Sequence, residues 1–265
     1  MIKSLAIVLR TIKYSDGRVI VDMFTRQQGR LSFIVPLPKS PHAKIKKQYF
    51  QPLTLLDIEA NVRPLSQLQT LRDASLSVSL SSILSSPDKL AVGLFVSEFL
   101  YHALRDEQQN EPLFDYIRSS IEWLEAAEAH YANFHLVFLM RLSRFLGFYP
   151  NLTLVKGGGW RVEGGVENEA GDVPSPSTLN PPPFFDLRNA TFCTEPPLHP
   201  EFLMPEEAAH IRVLMRMDFF SMHLFRLSRA ERNRILEILL LYYRLHLPAF
   251  PELKSVEVLR ELYSS

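Results

Sequence analysis

The residues of this chain best suited to chemistry are cations. The stretch PLPKSPHAKIKKQYFQPL (residues 36–53) places Lys39, Lys44, Lys46 and Lys47 between two apolar segments. A lysine is a compact point charge on a long stem, and several on one connection suit the phosphates of a nucleic acid better than its base edges. Lys3, Arg10, Lys13, Arg18, Arg26 and Arg30 precede them on or beside the neighbouring segments. Residues 1–80 hold twelve basic and five acidic side chains, a local charge of +7, and the remainder carries −7. The formal net charge of zero therefore hides a basic head and an acidic body. Such a head is the electrostatic footprint of a protein that meets a polyanion. Tyr14, Phe24, Phe33, Tyr49 and Phe50 are interleaved with the cations. Burial preference assigns most of them to a core, and any left outside could stack on bases.

Catalytic chemistry is poorly represented. The sequence has no His-Glu-x-x-His, no paired Cys-x-x-Cys and no Gly-x-Ser-x-Gly. Residues 157–160, GGGW, lack the Gly-Lys-Ser/Thr that completes a phosphate loop, so they read as a turn. Cys193 and His199 have no second pair with which to complete a metal site, and both are read as structural. A lone cysteine forms no internal disulfide, and a reducing cytoplasm is its simplest setting. Cys193 has no neighbouring base to activate it as a nucleophile. Glu98 and His102, one helical turn apart, read as a polar contact and not as an acid–base couple. The N-terminus has no signal-peptide cleavage pattern, and no apolar run reaches the length of a membrane span. The expectation is a binding protein, not an enzyme, with no metal and no cofactor.

The elements that position the cations follow from period. Residues 4–14, 18–25, 31–37 and 52–62 read as strands, separated by turn signals at 15–17 and 27–30. Residues 65–71 fit either a fifth strand or the start of a helix. Five short strands in about 75 residues match a five-stranded, partly open OB-fold barrel, a common carrier of oligonucleotides. From residue 76 the period becomes helical. Helices are expected over 85–104, opened by Ser86-Pro87, and over 111–127, 130–147 and 228–247. The last of these carries a capping box at Ser228 and Glu231, and a further helix runs from Ser255 to residue 262. Residues 156–187 contain six of the ten glycines and five of the nineteen prolines, the composition of a long loop or hairpin. The predicted class is α+β in two domains. Residues 1–76 form the barrel, 77–150 the first part of a helical domain, 151–204 an irregular insertion, and 205–265 the rest of the helical domain.

Several segments, taken in order, resemble the RecO family of bacterial recombination and repair proteins. They are AIVLRTIKYSDGRVIVDMFTRQQGRLSFIV, FQPLTLLDIE, MRLSRFLGFYPNL and LYYRLHLPAFPELKSVEVLREL. The resemblance runs nearly end to end. It implies an N-terminal OB-fold, a helical domain, binding of single- and double-stranded DNA, and annealing of complementary strands. It also implies cooperation with RecR, and in some bacteria RecF, to place RecA on DNA coated by single-strand-binding protein. Capture of that protein's acidic, apolar-ended tail calls for an apolar pocket with cations, for which Phe138, Arg141, Arg144 and Phe145 are the candidates. Many members carry a four-cysteine zinc module after the Leu-Gly-x-x-Pro helix, where this chain has only Cys193, so no zinc is expected. Two other classes fit the same residues: an OB-fold module for RNA, and a scaffold whose acidic half binds proteins.

Overall fold

Alternating apolar residues build the first strands. The computed structural model describes residues 1–37, 45–63, 66–155 and 183–261. Strands β1 (Ile2–Ser15), β2 (Arg18–Thr25), β3 (Gly29–Pro36), β4 (Leu55–Asn61) and β5 (Leu68–Val78) close a barrel in the order β1-β2-β3-β5-β4. Only the β3–β5 pairing is parallel. The expected five-stranded OB-type barrel is thus present, and the ambiguous fifth segment is a strand. Ala6, Val8, Val19, Val21, Met23, Phe33 and Val35 point inward and fill the barrel with Phe50, Leu56 and Ile58.

One irregularity decides what β1 presents outside. Val8 pairs with Met23, but Arg10, not Leu9, pairs with Asp22. The extra residue is a β-bulge, and it reverses which positions face the core. Before it, even-numbered residues point inward; after it, Arg10 pairs with outward-facing Asp22 and Ile12 with Ile20. Leu9 falls at this shift and has no Cα partner on β2. Ser97 of helix α2 (Pro87–Ala103) donates its hydroxyl to the Leu9 carbonyl at 2.7 Å, in a buried setting. Gly29, in the β2–β3 turn, has φ +68°, and a Cβ there would lie 2.4 Å from the Gln108 backbone carbon. Only glycine allows the turn to pass this close to the chain that follows α2.

The chain divides into two compact units, residues 1–135 with 250–265, and residues 136–249. In the first, α1 (Ser81–Ser85), α2, α3 (Glu111–Ala126) and α7 (Ser255–Glu261) accompany the barrel. α2 starts as expected, with Ser86 as cap and Pro87 in the first turn. Glu125 closes the start of α1 by accepting from the Ser82 and Ile83 amides at 2.7 and 2.8 Å. Buried Lys89 donates to Ser82 Oγ and the Glu125 carbonyl, and burial lowers its pKa. Residue 262, expected in the last helix, lies outside the described residues.

The second unit begins within α4 (Phe134–Phe145) and contains α5 (Pro205–Arg216) and α6 (Arg229–His246). Its small sheet runs β6-β8-β7-β9, from Asn151–Val155, Phe184–Asp186, Thr191–Cys193 and Phe202–Leu203 taken as β6 to β9 in chain order. The Leu-Gly-aromatic-x-Pro segment has a physical role here. Gly147, at φ +86°, ends the helical run, and the Phe148 ring then stacks on His246 at 4.8 Å. The Phe148 carbonyl accepts from the buried Tyr242 hydroxyl, and the Tyr243 hydroxyl donates to the Leu139 carbonyl at 2.7 Å. The capping box of α6 forms as expected from Ser228 and Glu231. The Gly/Pro-rich residues 156–182 lie outside the described residues.

The bulge makes a direct stability prediction. Ser97→Ala leaves the buried Leu9 carbonyl without its donor and should cost about 1–3 kcal/mol. Urea unfolding of the natural and variant proteins reads this as a lower midpoint at unchanged slope.

Candidate nucleic-acid interface

The lysine stretch is described at its two ends, while Lys39 and Lys44 lie outside the described residues. Both ends are tied to the β1–β2 hairpin. At the first, the Leu37 amide donates to the Gly17 carbonyl at 2.7 Å, next to Arg18. At the second, Thr11 Oγ1 donates to the Phe50 carbonyl at 2.7 Å, next to Arg10. A single 3-10 turn, Lys47–Phe50, sorts the residues between them. Ile45, Tyr49 and Phe50 pack on the barrel core, while Lys46 and Lys47 are exposed. The apolar residues of the stretch thus anchor a pair of outward ammonium groups.

The other predicted cations separate into two groups. Arg18 is exposed, with no ion-pair partner among the described residues. Lys13 is 74% exposed and meets Asp16 at 3.0 Å, a surface pair that competes weakly with a phosphate. Lys3 pairs with Glu59 of β4 at 2.5 Å, which raises its pKa through the hydrogen bond and the carboxylate charge. It stands ten residues along β1 from Lys13, about 33 Å of strand away, and does not join the hairpin group.

Arg26 and Arg30 already have partners within the first unit. Arg26 grips Asp115 of α3 with Nε and Nη2 at 3.0 and 3.1 Å, and meets Glu111 at 2.8 Å. The hydrogen bond to Arg26 holds the Asp115 carboxyl below its ordinary range. The Arg30 side chain is 13% exposed, donates to the Tyr101 carbonyl at 2.5 Å, and lies 4.0 Å from Asp22. Both arginines fasten the barrel to its helices. Their partners are 71 and 89 residues away in sequence, so nothing local marks them as structural.

Tyr101, which sequence reasoning did not single out, organises the cations on the outer face. The Arg10 and Arg30 guanidinium carbons lie 4.8 and 4.3 Å from its ring centre. Phe24, Phe33 and Phe50 are buried in the core as expected, whereas Tyr14 stands exposed near the hairpin tip.

Glu98 and His102 make structural contacts. The Glu98 carboxylate accepts from the Lys254 amide at 3.1 Å and from the Ser255 amide and hydroxyl at 2.8 and 2.5 Å. Burial pushes the Glu98 carboxyl up, but these three hydrogen bonds outweigh it and hold it below its ordinary range. Burial lowers the His102 pKa, and Arg10, Arg30 and Arg105 lower it further against the opposing pull of Glu98.

In the second unit, Arg141 donates through Nε and Nη2 to the Met217 carbonyl at 3.2 and 2.9 Å. Arg144 is exposed and Phe145 half-buried. Phe138 is 0% exposed, so it belongs to the core and is withdrawn from the surface candidates. Tyr149 is the neighbour the sequence did not reveal: burial raises its pKa, and the charges of Arg141 and Arg144 oppose that rise. Cys193 is buried, and burial raises its thiol pKa, with Asp186 adding to the rise. Asp186 accepts from the Arg188 and Asn189 amides and faces His199 Nε2 at 3.3 Å. Among the described residues no group of three His, Cys, Asp or Glu side chains is placed to hold a metal ion, and no helix is long and apolar enough to cross a membrane.

Glu98 gives an acid-side prediction. Its folded pKa is depressed, so its contribution is fully present above the unfolded value, about 4.3, and is lost as pH falls through the lower folded value. Glu98→Gln should cost about 1–2 kcal/mol at neutral pH. The gap from the natural protein should close progressively below about pH 4 in urea unfolding series.

Comparison with known proteins places this geometry in context. Residues 1–79 match the family model described as recombination protein O, N-terminal, and residues 84–154 match its C-terminal counterpart. A curated relative from Phocaeicola vulgatus, named DNA repair protein RecO, is 45% identical over 262 residues, 99% of each chain. Proteins of the same name from Bacteroides fragilis and Porphyromonas gingivalis are 45% identical over 98% of each chain and 33% identical over 99% of each chain.

Proposed function

Because the chain belongs to the RecO family of DNA repair proteins, we propose that it is a non-catalytic mediator that binds single- and double-stranded DNA and anneals complementary strands. In this reading it acts with RecR, and with RecF where that protein takes part, to place RecA on DNA coated by single-strand-binding protein. Its setting is the bacterial cytoplasm. The observation that carries the reading is the convergence at the β1–β2 hairpin. Both ends of the lysine stretch are tied to the strands that hold Arg10, Lys13 and Arg18.

The chemistry of annealing favours such a surface. Two strands repel through their phosphates and pair through their bases. Lysines that contact backbone lower the repulsion while leaving base edges free. Arg10, Lys13, Arg18, Lys39, Lys44, Lys46 and Lys47 form the proposed contact set, with Lys3 as an outlying member.

The acidic, apolar-ended tail of single-strand-binding protein is proposed to meet Arg144 and Phe145, with Tyr149 beside them. Arg141 is already hydrogen-bonded to the Met217 carbonyl and contributes charge more than a new donor pair.

Two measurements test these assignments. Anisotropy with labelled single-stranded DNA at several salt concentrations should show tight, salt-sensitive binding. Changing Lys39, Lys44, Lys46 and Lys47 together to alanine should weaken it and make the log–log salt slope shallower by about 2–3, at about 0.7 per lost phosphate contact. No binding by the natural protein would move the scaffold reading forward, and a preference for RNA in direct competition would move the RNA module forward. Separately, Arg141→Ala with Arg144→Ala should weaken binding of the tail peptide about tenfold while leaving DNA affinity unchanged. Full retention would remove the tail from this helix.

A further inference from the structure

Beside the β1 hairpin the first unit holds an open cavity of about 720 Å³. That volume falls in the range of roughly 300–1,000 Å³ that encloses small organic ligands. Arg10, Tyr101, His102 and Lys254 line it on the polar side, and Leu94 and Val258 on the apolar side. Leu94 and Val258 are 44% and 54% exposed, which leaves apolar surface open in the cavity lining. The Arg10 guanidinium lies on the Tyr101 ring, so its plane is fixed while its outer N–H groups have no carboxylate partner among the described residues.

Two carboxylates also line the cavity. Glu98 is saturated by the Lys254 and Ser255 donors, and Glu252 is exposed to solvent. Arg10 and Lys254 are thus the two lining cations, set against two carboxylates of which Glu98 already accepts three hydrogen bonds.

We propose that this cavity docks one nucleotide of single-stranded DNA, its phosphodiester on Arg10 and Lys254 and its base against Leu94 and Val258. The proposal rests on the DNA-binding reading above and extends it from the barrel surface to α2 and α7. Single-stranded DNA is favoured over a peptide by continuity. Arg10 lines the cavity and stands on β1, the strand that leads to Lys13 and the hairpin tip. A duplex keeps its bases stacked inside and cannot offer one, so the cavity distinguishes single from double strands.

The test uses the full chain and two kinds of probe. Leu94→Glu and Val258→Glu alter exposed floor residues and leave the barrel cations in place. Each should lower affinity for a labelled single strand about fivefold or more, the scale of one lost base contact, and leave duplex affinity unchanged. A second arm needs no variant: a single strand of equal length with abasic sites throughout should bind the natural protein about fivefold or more weakly than the normal strand. Unchanged affinity in both arms, with the natural protein binding DNA normally, overturns the cavity and leaves the barrel reading intact. No DNA binding by the natural protein overturns both.

Discussion

The hydrogen bond from Ser97 to the Leu9 carbonyl is the constraint on which the basic surface depends. A strand alternates faces with a period of two, so one inserted residue inverts everything after it. Without the bulge, the arginine at position 10 would be aimed at the barrel interior, where an unpaired guanidinium costs far more than the strand can return. With it, Arg10 points out beside Asp22, and Ile12 follows on the same side. At the bulge, α2 supplies a donor to the strand through Ser97. Barrel and helix thus specify each other: Ser97 has a partner only if the strand is bulged, and the bulge is satisfied only if α2 lies along it.

The same helix divides the cations into two classes. Two basic side chains of the barrel that meet α2 or α3 are also paired with carboxylates. Arg30 meets Tyr101 and Asp22, and Arg26 meets Asp115 and Glu111. Where the hairpin runs beyond the helices, Lys13 and Arg18 stay in water, and Lys46 and Lys47 are held out by the Phe50 anchor. The +7 of the first eighty residues is therefore not spread over the barrel. Part of it is engaged in ion pairs within the first unit, and Lys13, Arg18, Lys46 and Lys47 remain exposed on or beside the hairpin.

This division explains what was legible in the sequence. Ser86-Pro87 and the Ser228–Glu231 box announce helix starts because a cap is a contact across three residues. The strands showed in their alternation. Residues 65–71 are ambiguous because LSQLQTL carries apolar residues at both strand and helix spacing; only pairing with β3 and β4 makes the part from Leu68 onward a strand. The bulge at Leu9 was illegible, since it exists only relative to β2. The fates of Arg26 and Arg30 were illegible for the same reason, their partners being 89 and 71 residues away. Helical spacing joins Phe138 to Arg141 as a surface pair, yet every residue from Phe134 to Met140 is buried, on all sides of the helix. Periodicity says that a helix has two faces and not which of them another element will cover.

A surface that anneals strands must grip phosphates without hiding bases, and a cavity that takes a base looks opposed to that requirement. The two are compatible when the grip is sparse. A continuous groove that stacked every base would raise affinity for one strand and block its complement. One docked nucleotide beside a row of lysine contacts fixes where a strand sits and leaves the neighbouring bases unstacked from protein and open to pairing. In the proposed scheme, pairing would withdraw the docked base into the duplex and leave the protein only its phosphate contacts. Those contacts are salt-sensitive, so in this reading the hold on the completed duplex would lack the base contribution and weaken as salt rises. The bulge that turns Arg10 outward supplies both halves of this arrangement, since the same residue stands on β1 and lines the cavity.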